Sequence, residues 1–205
     1  MTAVKGGAPP GKAAIAILVF AGMTASGKST LGQVLAQRYQ VPYHNSDRIR
    51  KELAGLQATE RRPDQVGAGI YSTAFTEATY QAMLDRVRDD SAHGAAVVIL
   101  DGSYSRRRYR DAVRGVARDL GGSAVFIFCI CPDDEVRRRL EQRAKDSRAV
   151  SDGRWEIYLH QKKTYELPDA LEEGSYILLD TERPVERLVT DLEAHPYMCG
   201  LLPPR

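Results

Sequence analysis

Gly22, Gly27, Lys28 and Ser29 stand in the spacing G-x-x-x-x-G-K-[ST], inside the stretch AGMTASGKST that follows the apolar run AIAILVF. Side chains this small leave the main chain open to an anion. Phosphate oxygens can approach the loop amides directly, and the N-H groups and dipole of a helix beginning at Lys28 favour negative charge at that point. In a loop of this type the lysine reaches the β and γ phosphates, Ser29 ligates Mg2+, and Thr30 bonds an α-phosphate oxygen. The candidate nucleotide-binding residues are therefore Gly22, Thr24, Ala25, Ser26, Gly27, Lys28, Ser29 and Thr30, with ATP or another nucleoside triphosphate and Mg2+ as the implied ligands. An ordinary glycine-rich turn with a stray lysine is the plain alternative. The apolar strand before the loop and the helical pattern after it count against that.

Three other places bear on the reaction. Asp101 ends the run VVILD, so its carboxylate belongs at a strand's carboxyl end, where it would serve the metal or position water, although aspartate is also common at turns. In NSDRIRKEL, Asp47 closes the second strand and Arg50 lies one helical turn later. Asp47 would accept the proton of an alcohol acceptor and Arg50 would hold that acceptor, unless Ser46 or Asp47 merely caps the helix. In DDEVRRRLEQRAKDSRAVSDGR, Val136 and Leu140 form an apolar stripe flanked by Arg139 and Arg143, which could fold over bound phosphates as a lid, while Arg138 faces away. Solvated surface arginines are the commoner fate of such runs. The basic cluster SRRRYR, 105 to 110, meets an anionic substrate or faces water. His44 lies near Asp47, and Trp155, Tyr158 and Leu159 read as core.

The elements that must position these residues alternate. Strands are expected over 13–22, 41–45, 95–101, 123–131 and 176–180. Helices are expected from Lys28, from Ser46, over 67–92 with Tyr71, Phe75, Ala78 and Ala82 inward, around Val113 to Leu120, from Pro132, over 154–166 and from Pro184. Strands separated by helices in this rhythm imply an α/β fold with a parallel sheet covered on both faces, and ligands outside the strands' carboxyl ends.

A chain of 205 residues has room for one good core. Residues 1–13 read as a flexible lead-in, 14–195 as the domain with a lid at about 133–154, and 196–205 as a tail. The net charge of +2, from 29 basic and 27 acidic residues, argues against a protein that coats duplex nucleic acid. Three cysteines without disulfide or metal spacing suggest a reducing cytoplasm, and no segment has the length and apolarity of a membrane span.

Taken together, GMTASGKST, NSDRIRKEL, VVILDGSY, the arginine-rich lid and VSDGRWEIYLHQKKTYELP resemble the P-loop kinases of the polynucleotide kinase and gluconate kinase branch, including bacterial AAA family ATPase-type domains. The resemblance covers about residues 14 to 193. It implies a three-layer α/β/α fold with a five-stranded parallel sheet in the order 2-3-1-4-5. It also implies that Asp47 and Arg50 match the acceptor-side aspartate and arginine, and that Arg139 and Arg143 match lid arginines. The expected activity is transfer of the γ-phosphoryl group to a hydroxyl of a small-molecule acceptor by a monomer or homodimer. A 5′-hydroxyl polynucleotide kinase using the arginines of 106 to 110, and a nucleotide-dependent switch without acceptor chemistry, are the alternatives.

Overall fold

The computed structural model describes residues 14–60, 68–146, 150, 153–174 and 176–203. The expected lead-in over 1–13 lies outside the described residues, as do parts of the lid at 147–149 and 151–152.

Five strands, β1 (Ala16–Ala21), β2 (Tyr43–Asn45), β3 (Val97–Asp101), β4 (Ser123–Ile130) and β5 (Ile177–Asp180), form one sheet in the order β2-β3-β1-β4-β5. Every pairing is parallel, which is the expected fold. The strands are shorter than the expected runs mainly at their starts, where residues such as Ile15, Val41 and Ala96 precede the first strand residue. Register carries the functional consequence: Phe20 and Asn45 both pair with Asp101, so the carboxyl ends of β1, β2 and β3 finish at one level.

Among the described residues, eight helices connect and cover the strands: α1 (Lys28–Tyr39), α2 (Ser46–Leu53), α3 (Thr73–Ala92), α4 (Arg107–Asp119), α5 (Asp133–Ala144), α6 (Trp155–Thr164), α7 (Ala170–Glu173) and α8 (Val185–Glu193). One core joins the sheet to α3 and α4 through residues such as Ile17, Val19, Met83, Val87, Val98 and Val113. The other joins the opposite face to α1 and α8 through Leu18, Phe20, Leu31, Leu35, Leu188 and Leu192. A third, small cluster sets Ala25 of the glycine-rich loop against Val136, Leu140 and Tyr158, so the loop itself packs on α5 and α6. The expected tail begins with a 3-10 turn, Pro196–Met198, whose Met198 is buried in the second core.

The expected helix over 67–92 divides. Gly69–Tyr71 is a separate 3-10 turn, and Ser72 caps α3 by accepting from the Phe75 N-H across 3.4 Å. Because Tyr71 precedes the cap, a phase counted from it does not run into the helix. Thr79, Tyr80, Met83, Leu84 and Val87 face inward, and Ala78 is exposed.

Candidate active site

The loop between β1 and α1 is shaped by its neighbours. Gly22 has φ +143, and a Cβ there would lie 2.5 Å from the Cys129 carbonyl oxygen and 2.7 Å from Ser26 Oγ, so only glycine fits. Gly27, at φ +86, is the N-cap of α1 and provides no side-chain cap, which leaves the N-H groups of the first turn for an anion. Lys28 Nζ donates to the Met23 carbonyl at 3.2 Å, within the loop. Ser29 is the second residue of α1, and Thr30, the third, is exposed. Among the described residues, the buried hydroxyls of Thr24 and Ser26 have no hydrogen-bond partner.

Asp101 is fully buried at the end of β3. Its Oδ2 accepts from the Tyr43 hydroxyl at 2.5 Å and from Asn45 Nδ2 at 2.6 Å, while Oδ1 has no partner among the described residues. Burial, then the Asp101 charge, push the Tyr43 phenol far above its ordinary range, so Tyr43 stays a donor. An orphaned carboxylate oxygen beside a phosphate loop fits a metal-bound water or the ion itself. Ser29 and Asp101 would thus hold Mg2+. No cluster of three or more His, Cys, Asp or Glu suited to a metal occurs among the described residues.

Asp47 is the second residue of α2 and half-buried; Asn45, not Ser46 or Asp47, is the cap, accepting from the Arg48 N-H at 2.9 Å. The capping role weighed against Asp47 therefore falls to Asn45. Arg143 is half-buried near Asp47. Burial pushes its guanidinium pKa down, opposed by the charges of Asp47 and Asp101, with Arg139 adding to the depression. Lys28, Asp101 and Arg139 in turn surround Cys129, whose thiol burial pushes up to about 12. These electrostatic neighbourhoods bring Lys28, Asp47, Asp101, Arg139 and Arg143 to one end of the sheet.

Arg139 is bound at every nitrogen. Nε donates to Glu135 at 2.7 Å, Nη2 to the Thr181 carbonyl at 2.6 Å, and Nη1 to Thr181 Oγ1 at 3.1 Å and the Ala25 carbonyl at 3.3 Å. The lid arginine is thereby seated on the loop. Arg138 points outward, paired with Glu135.

Arg50, expected to hold the acceptor, is buried instead. Its Nη1 donates to the Ile70 carbonyl at 2.7 Å and Thr76 Oγ1 at 3.0 Å, and its guanidinium lies 5.0 Å from the Tyr71 ring centroid. Tyr71 and Thr76 line a cavity of about 570 Å3 together with Tyr109, Ser105, Arg106 and Arg108. His160 and Glu166 close it from the α6 side. One lining residue, Ser105, follows two positions after Ser103, whose carbonyl accepts from the Gly22 N-H at 3.2 Å.

The basic cluster divides. Arg106 pairs with Glu166, Arg107 with Glu172, and Arg108 with Glu77. Arg110 is fully buried and bidentate on Glu173, at 2.7 and 2.5 Å. His44 binds Asp90 of α3 at 2.6 Å rather than facing the site.

Residues 17–168 match the model of a family described as an AAA domain. The chain belongs to this AAA domain family. A P-loop domain of this family implies nucleotide binding. "Uncharacterized protein Rv2004c" of Mycobacterium tuberculosis is 28% identical over 132 residues, which cover 64% of this chain and 26% of that protein. "Uncharacterized protein Mb2027c" of Mycobacterium bovis matches to the same extent. The AAA-domain chain thus spans about a quarter of the length of the curated relatives it matches. Its fold is similar to that of a sugar kinase from Janibacter sp., with a TM-score of 0.64 at 19% identity, over 90% of this chain and 95% of that one. A gluconokinase from Sinorhizobium meliloti gives a TM-score of 0.58 at 20% identity, over 88% and 90% of the two chains. Shikimate kinase from Aquifex aeolicus gives 0.53 at 15%, over 87% and 93%. At these identities the likeness is one of fold. Among the described residues, no helix of the AAA domain is long and apolar enough to cross a membrane.

Several residues of the site escape sequence reasoning. Asn45 and Tyr43 bind Asp101 from another strand, Thr181 braces the loop from beyond β5 by donating to the Ser26 carbonyl at 2.8 Å, and Gln161 accepts from the Thr24 N-H at 2.7 Å. Only Asn45 carried a local signal, as a cap-type residue directly before a helical pattern.

Proposed function

We propose that this chain is a kinase that transfers the γ-phosphoryl group of ATP, or another nucleoside triphosphate, to a hydroxyl of a small-molecule acceptor held in the cavity beside the loop. The observation that carries this reading is the shared electrostatic neighbourhood of Asp47, Asp101, Arg139 and Arg143 at the loop that bears Lys28. A carboxylate near two arginines and a phosphate loop is what in-line transfer to an alcohol requires. Asp47 orients the hydroxyl and takes its proton as the new bond forms, a role that demands no strong base because the transition state is loose. Lys28 and the loop amides hold the triphosphate, and Arg143 and Arg139 stabilise charge on the transferring group. Ser29 and Asp101 would hold Mg2+, which would supply positive charge to the triphosphate. Arg50 acts on the acceptor through Tyr71 and Thr76, the two cavity residues it binds.

The arginines available to the polynucleotide alternative are already matched by Glu166, Glu172, Glu77 and Glu173, which leaves little free charge to track a phosphate backbone. The fold likenesses to a sugar kinase and a gluconokinase agree with a small acceptor.

The test compares wild type with Asp47→Asn, using γ-labelled ATP and Mg2+ against sugars, nucleosides, aminoglycosides and 5′-hydroxyl oligonucleotides. One labelled product is expected, falling about 10²–10⁴-fold in the variant, with ATP affinity within about threefold. Equal slow hydrolysis by both proteins with no labelled product favours the switch, and absence of any triphosphate binding removes the kinase reading.

A further inference from the structure

One helix touches both halves of this site. Along α6 and its C-cap, Tyr158, Gln161 and Tyr165 are spaced three and four apart and so share a face. Tyr158 packs with Ala25 in the third cluster, and Gln161 Oε1 accepts from the Thr24 N-H at 2.7 Å. The Tyr165 hydroxyl donates at 2.6 Å to the Ser103 carbonyl, the same oxygen that accepts from the Gly22 N-H. Three points of the loop are therefore held, directly or through one carbonyl, by a single element. On other sides α6 is pinned to the first turn of α5, where Tyr158 Oη and Lys162 Nζ both donate to Asp133. The residues next along the chain wall the cavity: His160 and Glu166 line it, and the Glu166 N-H donates to the Ser105 carbonyl at 2.9 Å.

Gln161 is the joint in this arrangement. Its side chain reaches from α6 to a main-chain amide of the loop, and glutamine's second polar group, the NH2, is turned by that bond without being used in it. Deleting the acceptor would leave a part-buried loop N-H unpaired and would loosen α6 from the loop, leaving the Tyr158 packing and the Tyr165 bond to the Ser103 carbonyl in place.

We propose that Gln161 is a positioning residue that couples the phosphate loop to the wall of the acceptor cavity, so that ordering the loop on a nucleotide also orders the cavity. The proposal rests on the kinase reading for the cavity's occupant, though its test needs no acceptor. Binding at one site then changes affinity at the other by the same factor.

The experiment is amide hydrogen exchange, read by mass spectrometry, on wild type and Gln161→Met with and without AMP-PNP and Mg2+. Methionine keeps the side chain's length and removes the acceptor. Wild type is expected to show AMP-PNP protection both in the loop, 22–30, and in segment 163–167, which contains the Glu166 reporter amide. In the variant, protection of the loop remains and that of 163–167 is reduced, with AMP-PNP affinity about tenfold weaker because the loop must be ordered at binding. Equal protection of 163–167 in both proteins overturns the coupling while leaving the kinase reading intact. Failure of wild type to bind AMP-PNP overturns both. Should the methionine variant not fold, Gln161→Asn, which retracts the amide by one carbon, replaces it under the same criteria.

Discussion

Asn45 joins two parts of the site with one amide: its oxygen caps α2 and its nitrogen donates to Asp101 Oδ2 at 2.6 Å. The helix that carries Asp47 and the carboxylate proposed to serve the metal are thus aligned by a single side chain. Asn45→Asp keeps the cap and sets a second carboxylate against Asp101. Like charges so close raise the pKa of one of them and move the buried oxygen. The cap is kept, but the buried Asp101 loses a donor and gains a like charge, so stability is expected to fall by about 1–3 kcal/mol in chemical denaturation. Phosphoryl transfer, assayed with the acceptor found by the labelling screen, is expected to fall about 100-fold, comparable to misplacing a catalytic group by an ångström.

Gly22 and Gly115 predict opposite outcomes for one substitution. Gly22→Ala drives a methyl into the Cys129 carbonyl oxygen and Ser26 Oγ and must open the loop. Nucleotide affinity, measured by titration with a fluorescent ATP analogue, is expected to weaken about 100-fold, the magnitude of a small misplacement of binding groups. Gly115 lies inside α4, and a methyl group added there would meet nothing within 4 Å. Gly115→Ala is therefore expected to stabilise the fold by about 0.5–1 kcal/mol in urea denaturation and leave binding unchanged.

Glu173 is the counter-charge that allows Arg110 to be buried. Its carboxyl is pushed up by burial, but Arg110, and Arg114 at 3.2 Å, outweigh that and hold it below the usual range. Glu173→Gln leaves a buried guanidinium without a full counter-charge. A loss of about 3–5 kcal/mol is expected by chemical denaturation.

Glu135 ties Arg138 and Arg139 together, and those two guanidinium groups hold its carboxyl down at about 2. A carboxylate depressed in the folded state contributes stability that is complete above its unfolded value near 4.5 and is lost as pH falls toward 2. Thermal melts of wild type and Glu135→Gln are therefore expected to differ at pH 7 and to converge as pH falls through that window. A difference that stays constant with pH counts against the ion pairs.

The phosphate loop was legible because its information is contiguous: Gly22 to Thr30 is nine residues whose sizes alone decide whether a backbone can wrap an anion. The alternation of apolar runs and helical patterns likewise led to the sheet order through the likeness to P-loop kinases, and Asp47, Arg139 and Arg143 share a neighbourhood near the end of β3. Helix phase was less secure, since Ser72 caps α3 one residue after Tyr71 and resets the count.

What lay beyond the sequence was each side chain's partner. Arg50 and Arg110 read as surface cations available to a ligand, yet both are buried, one against Ile70 and Thr76 and the other against Glu173, 63 positions away. Asp101 meets Asn45 from 56 positions off, and Gln161 meets Thr24 from 137. Spacing along a chain reports a residue's neighbours within a few turns, through the periods of helix and strand. Which distant carboxylate or amide lies opposite depends on sheet register and helix packing, and these are set by the whole core together. The sequence by itself therefore determined the fold class and the phosphate-loop pattern, while the tertiary structure alone decided which distant partner each charge meets.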